Sequence, residues 1–116
     1  MVSKDIIWLE ELRMKDIDQV GGKNASLGEM ISQLTHQGVS VPGGFATTAE
    51  AFRRFLQSHG LKERIDAALK KLDINDVKAL AHTGKQIREW VINTPFPADF
   101  EQHIKEAVSY THLTLP

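Results

Sequence analysis

The sequence predicts a helix-rich α+β fold, and three observations carry that prediction. Apolar residues recur at helical spacing along most of the chain, only two short runs have extended character, and glycines and prolines punctuate the pattern. Two such runs are too few for a sheet that buries a face by itself, so partner strands are expected outside these 116 residues.

Residues 6–9 (Ile6, Ile7, Trp8, Leu9) form the first extended run, short and apolar with one aromatic. A helical pattern begins at Asn24, with Leu27, Met30, Ile31 and Leu34 on one face, and Gly38 is placed to stop it. Val39-Ser40-Val41-Pro42-Gly43-Gly44-Phe45 is a turn followed by a short extended segment, because Pro-Gly-Gly cannot propagate a helix. Thr47-Thr48-Ala49-Glu50 reads as a capping box on Thr47 and Glu50, opening a helix that buries Ala49, Phe52, Phe55 and Leu56 and closes at Gly60. Leu61, Ile65, Ala68, Leu69 and Leu72 mark the next helix, and Asp73 or Asn75 is expected to cap the one after it. That helix carries Val77, Leu80, Ala81, Gly84, Ile87, Trp90 and Val91 along one side and ends at Pro95. Pro97 suits the first turn of a final helix whose inner face is Phe100, Ile104 and Ala107. There is no internal repeat.

Composition narrows the function classes. The chain is 41% hydrophobic and 25% charged, an ordinary globular balance, and its net charge of -1 predicts neither a nucleic acid nor a membrane partner. No cysteine occurs, which excludes disulfides and thiolate metal sites and suits a reducing cytoplasm. The apolar run near Met1 is too short for a signal peptide or a membrane span. His36, His59, His82, His103 and His112 lack metal-ligand spacing, so no metal site is expected and each is read as a helix-surface or boundary residue. Lys70, Lys71, Asp73 and Asp76 read as helix-end chemistry, Trp8 and Trp90 as packing anchors, and Arg53, Arg54 and Arg88 as a solvated helix face.

The sharpest local signal is Gly21-Gly22-Lys23-Asn24-Ala25-Ser26-Leu27-Gly28-Glu29-Met30. Two glycines permit positive φ and close backbone approach, the following helix presents free amides, and Lys23 adds a mobile cation at the same end. Those are the requirements of a phosphate site. On spacing alone, a glycine turn before a surface helix with a solvated Lys23 is the better reading, because the segment is shorter than a P-loop.

Resemblance shifts that balance. Gly21 to Met30 resembles the opening motif of the pyruvate, phosphate dikinase and phosphoenolpyruvate synthase superfamily. Val39-Ser40-Val41-Pro42-Gly43-Gly44-Phe45-Ala46-Thr47-Thr48-Ala49-Glu50-Ala51-Phe52 is similar to the family's next segment, in its synthase form. Gln86-Ile87-Arg88-Glu89-Trp90-Val91-Ile92-Asn93-Thr94-Pro95-Phe96 resembles the same subfamily. The likeness runs continuously from about Ile6 to Ala107. It implies that residues 1–108 are the N-terminal part of an ATP-grasp nucleotide-binding domain.

The resemblance implies an activity that converts pyruvate, ATP and water to phosphoenolpyruvate, AMP and phosphate, with magnesium, by way of a phosphohistidine on another domain. ATP and pyruvate would be the ligands of the complete enzyme, a homo-oligomer whose remaining polypeptide is this chain's partner. Gly21, Gly22 and Lys23 match the family's ATP-binding motif, with Lys23 on the phosphates. No catalytic residue and no metal ligand falls within these 116 residues, so the chain alone is expected to be inactive. The family's Val-Arg-Ser-Ser-type segment is missing. Ser109-Tyr110-Thr111-His112-Leu113-Thr114-Leu115-Pro116 departs from the pattern and reads as a translated adaptor remnant, so residues 109–116 are expected to be a mobile, non-native tail; a divergent native tail is the other reading.

Two alternatives remain at this level. The dikinase or a rifampicin phosphotransferase would share this entry domain. A helical interaction module would share the helices, but would have no need of Gly-Gly-Lys before one of them.

Overall fold

The computed structural model describes residues 5–114, with side chains to Tyr110. They form two compact units, one from the chain up to Arg53 together with the segment from Ala98 onward, the other Arg54–Pro97.

In the first unit, β1 (Ile6–Trp8) pairs antiparallel with β2 (Phe45–Thr47), matching Ile6 to Thr47, Ile7 to Ala46 and Trp8 to Phe45. The two extended runs therefore pair with each other, in a two-stranded sheet among the described residues. The second strand also lies later than the Val39-to-Phe45 run suggested. A 3₁₀ turn at Leu9–Glu11 and another at Met14–Asp16 lead into α1 (Ile17–Val20) and α2 (Gly22–His36). Leu9, Leu12, Val20, Ala25, Ile31 and Ala46 make the core, with Ile7, Leu27 and Val41 packed on it. Met30, expected inside, is 47% exposed. The end of α2 follows the sequence: Gly38 has φ 79°, its N–H donates to Thr35, and the N–H of Val39 donates to the Leu34 carbonyl at 2.9 Å, a Schellman closure.

The cap of α3 (Ala49–Gln57) is Thr48 rather than Thr47. Thr48 Oγ1 accepts the Ala51 N–H at 3.1 Å, while Thr47 is held in the strand register opposite Ile6. This one-residue shift rotates the buried face. Ala51 and Phe55 are buried, and Phe52 is 56% exposed. The first unit closes with α6 (Ala98–Thr114), which buries Phe100 and Ala107. Pro97 stands just before this helix, not in its first turn. The helix carries the octet's first six residues, and the Tyr110 ring lies edge-on to Trp8 at 5.2 Å, so the octet is helical as far as Thr114. Leu115 and Pro116, and the side chains of His112 and Leu113, lie outside the described residues.

The second unit holds α4 (Leu61–Lys70) and α5 (Val77–Asn93). Leu61 is fully buried, Phe55 stacks edge-on with Phe96 at 5.5 Å, and the Arg64 guanidinium lies 5.3 Å from the Trp90 ring. Asp76 caps α5, accepting the Ala79 N–H at 3.1 Å. Asp73 instead accepts the Asn75 N–H, so neither Asp73 nor Asn75 caps the helix as expected. The predicted inner face of α5 holds no buried residue; Val77 is 76% and Leu80 46% exposed.

Candidate functional site

Gly21 is the hinge of the site. Its φ of 88° and ψ of 163° lie where a side chain strains the backbone. Its N–H closes α1 on the Ile17 carbonyl at 2.8 Å, and its own carbonyl accepts the Ala25 N–H at 3.1 Å, the first bond of α2. One residue thus ends a helix and starts the next, so α2 begins at Gly22, two residues before the pattern suggested. Asn24 ties the two together, its side-chain amide donating to the Val20 carbonyl at 2.9 Å.

The start of α2 is chemically open. No side chain caps it, and the amides of Gly22, Lys23 and Asn24 have no intrahelical acceptor by helix geometry. A Cβ built on Gly21 or Gly22 would meet nothing within 4 Å, so the space before those amides is unfilled. Lys23 is exposed in the first turn and forms no ion pair among the described residues. Two acids of this region accept backbone amides: Asp16 takes the Arg13 N–H at 2.9 Å and Glu29 the Met14 N–H at 3.1 Å. Free amides, the positive end of the helix dipole and one cation coincide, an arrangement that stabilises a phosphate.

Gly28 seats this helix. A Cβ there would lie 2.5 Å from Leu12 Cβ and 2.7 Å from the carbonyl oxygens of Leu9 and Leu12. Only a glycine lets α2 approach the Leu9–Glu11 turn so closely.

Sequence reasoning missed one polar pair. His103, read as a helix-surface or boundary residue, stands at the boundary, with Nδ1 2.7 Å from Asp5 Oδ2; the Asp5 side chain is 1% exposed and that of His103 30%. The signal was present, because His103 falls on the stripe of Phe100, Ile104 and Ala107 at helical spacing.

Among the described residues, no three histidines or acids are grouped to hold a metal ion. No helix among those residues is long and apolar enough to cross a membrane.

Comparison with known proteins agrees with the family resemblance. Residues 17–114 match the family described as pyruvate phosphate dikinase, AMP/ATP-binding domain. Over 107 residues the chain is 62% identical to a phosphoenolpyruvate synthase of Neisseria meningitidis serogroup B, covering 92% of this chain and 14% of that protein. Synthases of Pseudomonas aeruginosa and Escherichia coli K12 are 58% and 56% identical over 102 residues, covering 88% of this chain and 13% of theirs. The chain thus spans a small part of the length of the relatives it matches. Gly21, Gly22 and Lys23 lie inside the matched span, and the chain belongs to the pyruvate phosphate dikinase AMP/ATP-binding domain family.

Proposed function

We propose that this chain supplies the phosphate-holding end of the ATP site in a phosphoenolpyruvate synthase. The observation that carries the reading is the uncapped start of α2 behind Gly21 and Gly22, with an exposed Lys23 in its first turn. In this reading the amides after Gly21 and the Lys23 ammonium neutralise charge on the ATP phosphates as the bond to the transferred group breaks. Lys23 moves no proton. The domain is a lobe of an ATP-grasp fold, and the phosphohistidine and pyruvate site belong to polypeptide beyond these residues. Magnesium would travel with ATP and take its protein ligands there too.

The relatives at 56–62% identity are synthases, which favours water over phosphate as the second acceptor. A dikinase would instead require added phosphate for turnover, and that dependence separates the two.

Lys23→Met in the complete enzyme tests the site. Loss of one charge contact to a developing phosphoryl charge costs about 2–4 kcal/mol, roughly two to three decades in the rate of phosphoenzyme formation from ATP. Transfer from phosphoenzyme to pyruvate should stay near the unsubstituted rate, because it uses other domains. Equal loss in both half-reactions would assign Lys23 to folding and refute the proposal.

A further inference from the structure

Helix α5 has 17 residues and buries none of them, although its sequence carries an apolar stripe. Val77, Leu80 and Gly84 lie at helical spacing on one face, and Val77 and Leu80 are 76% and 46% exposed. Lys78 and Lys85, seven residues apart, run along the edge of that stripe. A Cβ on Gly84 would sit 3.3 Å from an Arg88 guanidinium nitrogen, so the Arg88 head group lies over the stripe itself. None of these three cations forms an ion pair among the described residues. The neighbouring acid Asp76 is spent on the helix cap, and Glu89 is the one acid within α5.

We infer that this face is a docking surface for an acidic, apolar-faced segment of the same polypeptide, from the large part of the relatives' length outside these residues. The inference rests on the synthase reading above. Charge decides the occupant. A second copy laid face to face would oppose Lys78, Lys85 and Arg88 with their own kind, and like charges across an interface are destabilising. An acidic segment satisfies the cations while its apolar residues cover Val77 and Leu80. A basic, apolar helix face can also lie on an anionic membrane, but Trp90, the large aromatic that would anchor it there, is engaged by Arg64.

The test uses the complete polypeptide and a zero-length carbodiimide, which joins a lysine amine only to a touching carboxylate. Lys78 or Lys85 should cross-link to an aspartate or glutamate beyond residue 116 of the same molecule. Amide exchange across α5 should be at least tenfold slower than in the 116-residue chain. Lys78→Glu combined with Lys85→Glu and Arg88→Glu should abolish that protection, while circular dichroism of the isolated chain stays unchanged because all three residues are exposed. Cross-links found only between molecules, α5 exchange indifferent to charge reversal, or protection of the 116-residue chain by phosphatidylserine vesicles would each overturn the inference. Pyruvate- and ATP-dependent phosphoenolpyruvate formation on the same preparation reports separately whether the synthase reading stands.

Discussion

Gly28→Ala is the substitution for which the structure gives the sharpest expectation. In an exposed helix, replacing glycine by alanine gains about 1 kcal/mol through backbone entropy. At Gly28 the new methyl meets Leu12 Cβ at 2.5 Å and two carbonyl oxygens at 2.7 Å. Backbone oxygens cannot swing aside as the end of a flexible side chain can, so the cost lies at the upper end of overpacking, about 3 kcal/mol. The net expectation is a loss of about 2 kcal/mol. Gly84→Ala is the control. Its methyl would meet only the tip of Arg88, at 3.3 Å, so the helix gain of about 0.5–1 kcal/mol should survive. The two tryptophans divide the assay, since Trp8 lies in the first unit and Trp90 in the second. Urea melts of Gly28→Ala in a Trp90→Phe background, and of Gly84→Ala in a Trp8→Phe background, read each unit alone. A neutral or stabilised Gly28→Ala would mean that α2 does not press on the Leu9–Glu11 turn, and the seating of α2 by Gly28 would have to be abandoned.

Three further outcomes follow from local geometry. Thr48→Ala should cost about 1–2 kcal/mol in denaturant melts and Thr47→Ala less than about 0.5, because Thr48 caps α3 and Thr47 does not; the reverse order would restore the capping box on Thr47. His59 holds φ 54°, a left-handed conformation, so His59→Val should lower stability by about 1–2 kcal/mol and His59→Gly should not, which thermal melts can read. His103→Ala removes a hydrogen bond from a carboxylate that is 1% exposed. With the histidine side chain 30% open to water, about 2–3 kcal/mol should be lost, less than for a fully buried pair; a loss under about 0.5 kcal/mol would make the contact incidental.

The sequence carried the helix-rich class and the glycine turn that opens α2, because both rest on local chemistry: periodicity, glycine conformation and helix ends. What it did not carry was set partly by contacts distant in the chain and partly by the local backbone path. Thr47 and Thr48 are equivalent as caps until the register with Ile6 assigns one to the strand, and the face of α3 then turns by one residue, exposing Phe52. Asp76 took the cap expected of Asp73 or Asn75, because any of these short polar residues can cap and only the backbone path selects one. The start of α2 at Gly22 depended on Gly21 adopting positive φ. The stripe on α5 was read correctly as a stripe, yet periodicity says only that a face is apolar, not that these residues cover it. His103 was passed over because its partner lies 98 residues away.

That separation bears on how the protein is made. Core residues Leu12, Ile31 and Ala46 all precede residue 54, so most of the first unit can collapse while the ribosome is still building the second. Asp5 cannot meet His103 until roughly fifty further residues have been added, an interval of about 3–10 s at ordinary elongation rates. During that interval the first unit is a nascent intermediate with an unfinished edge, where Asp5 and Trp8 await their α6 partners His103 and Tyr110. Slowing translation between Arg54 and Pro97 should lengthen the life of that intermediate and its exposure to chaperones and proteases, without changing a single contact in the finished fold.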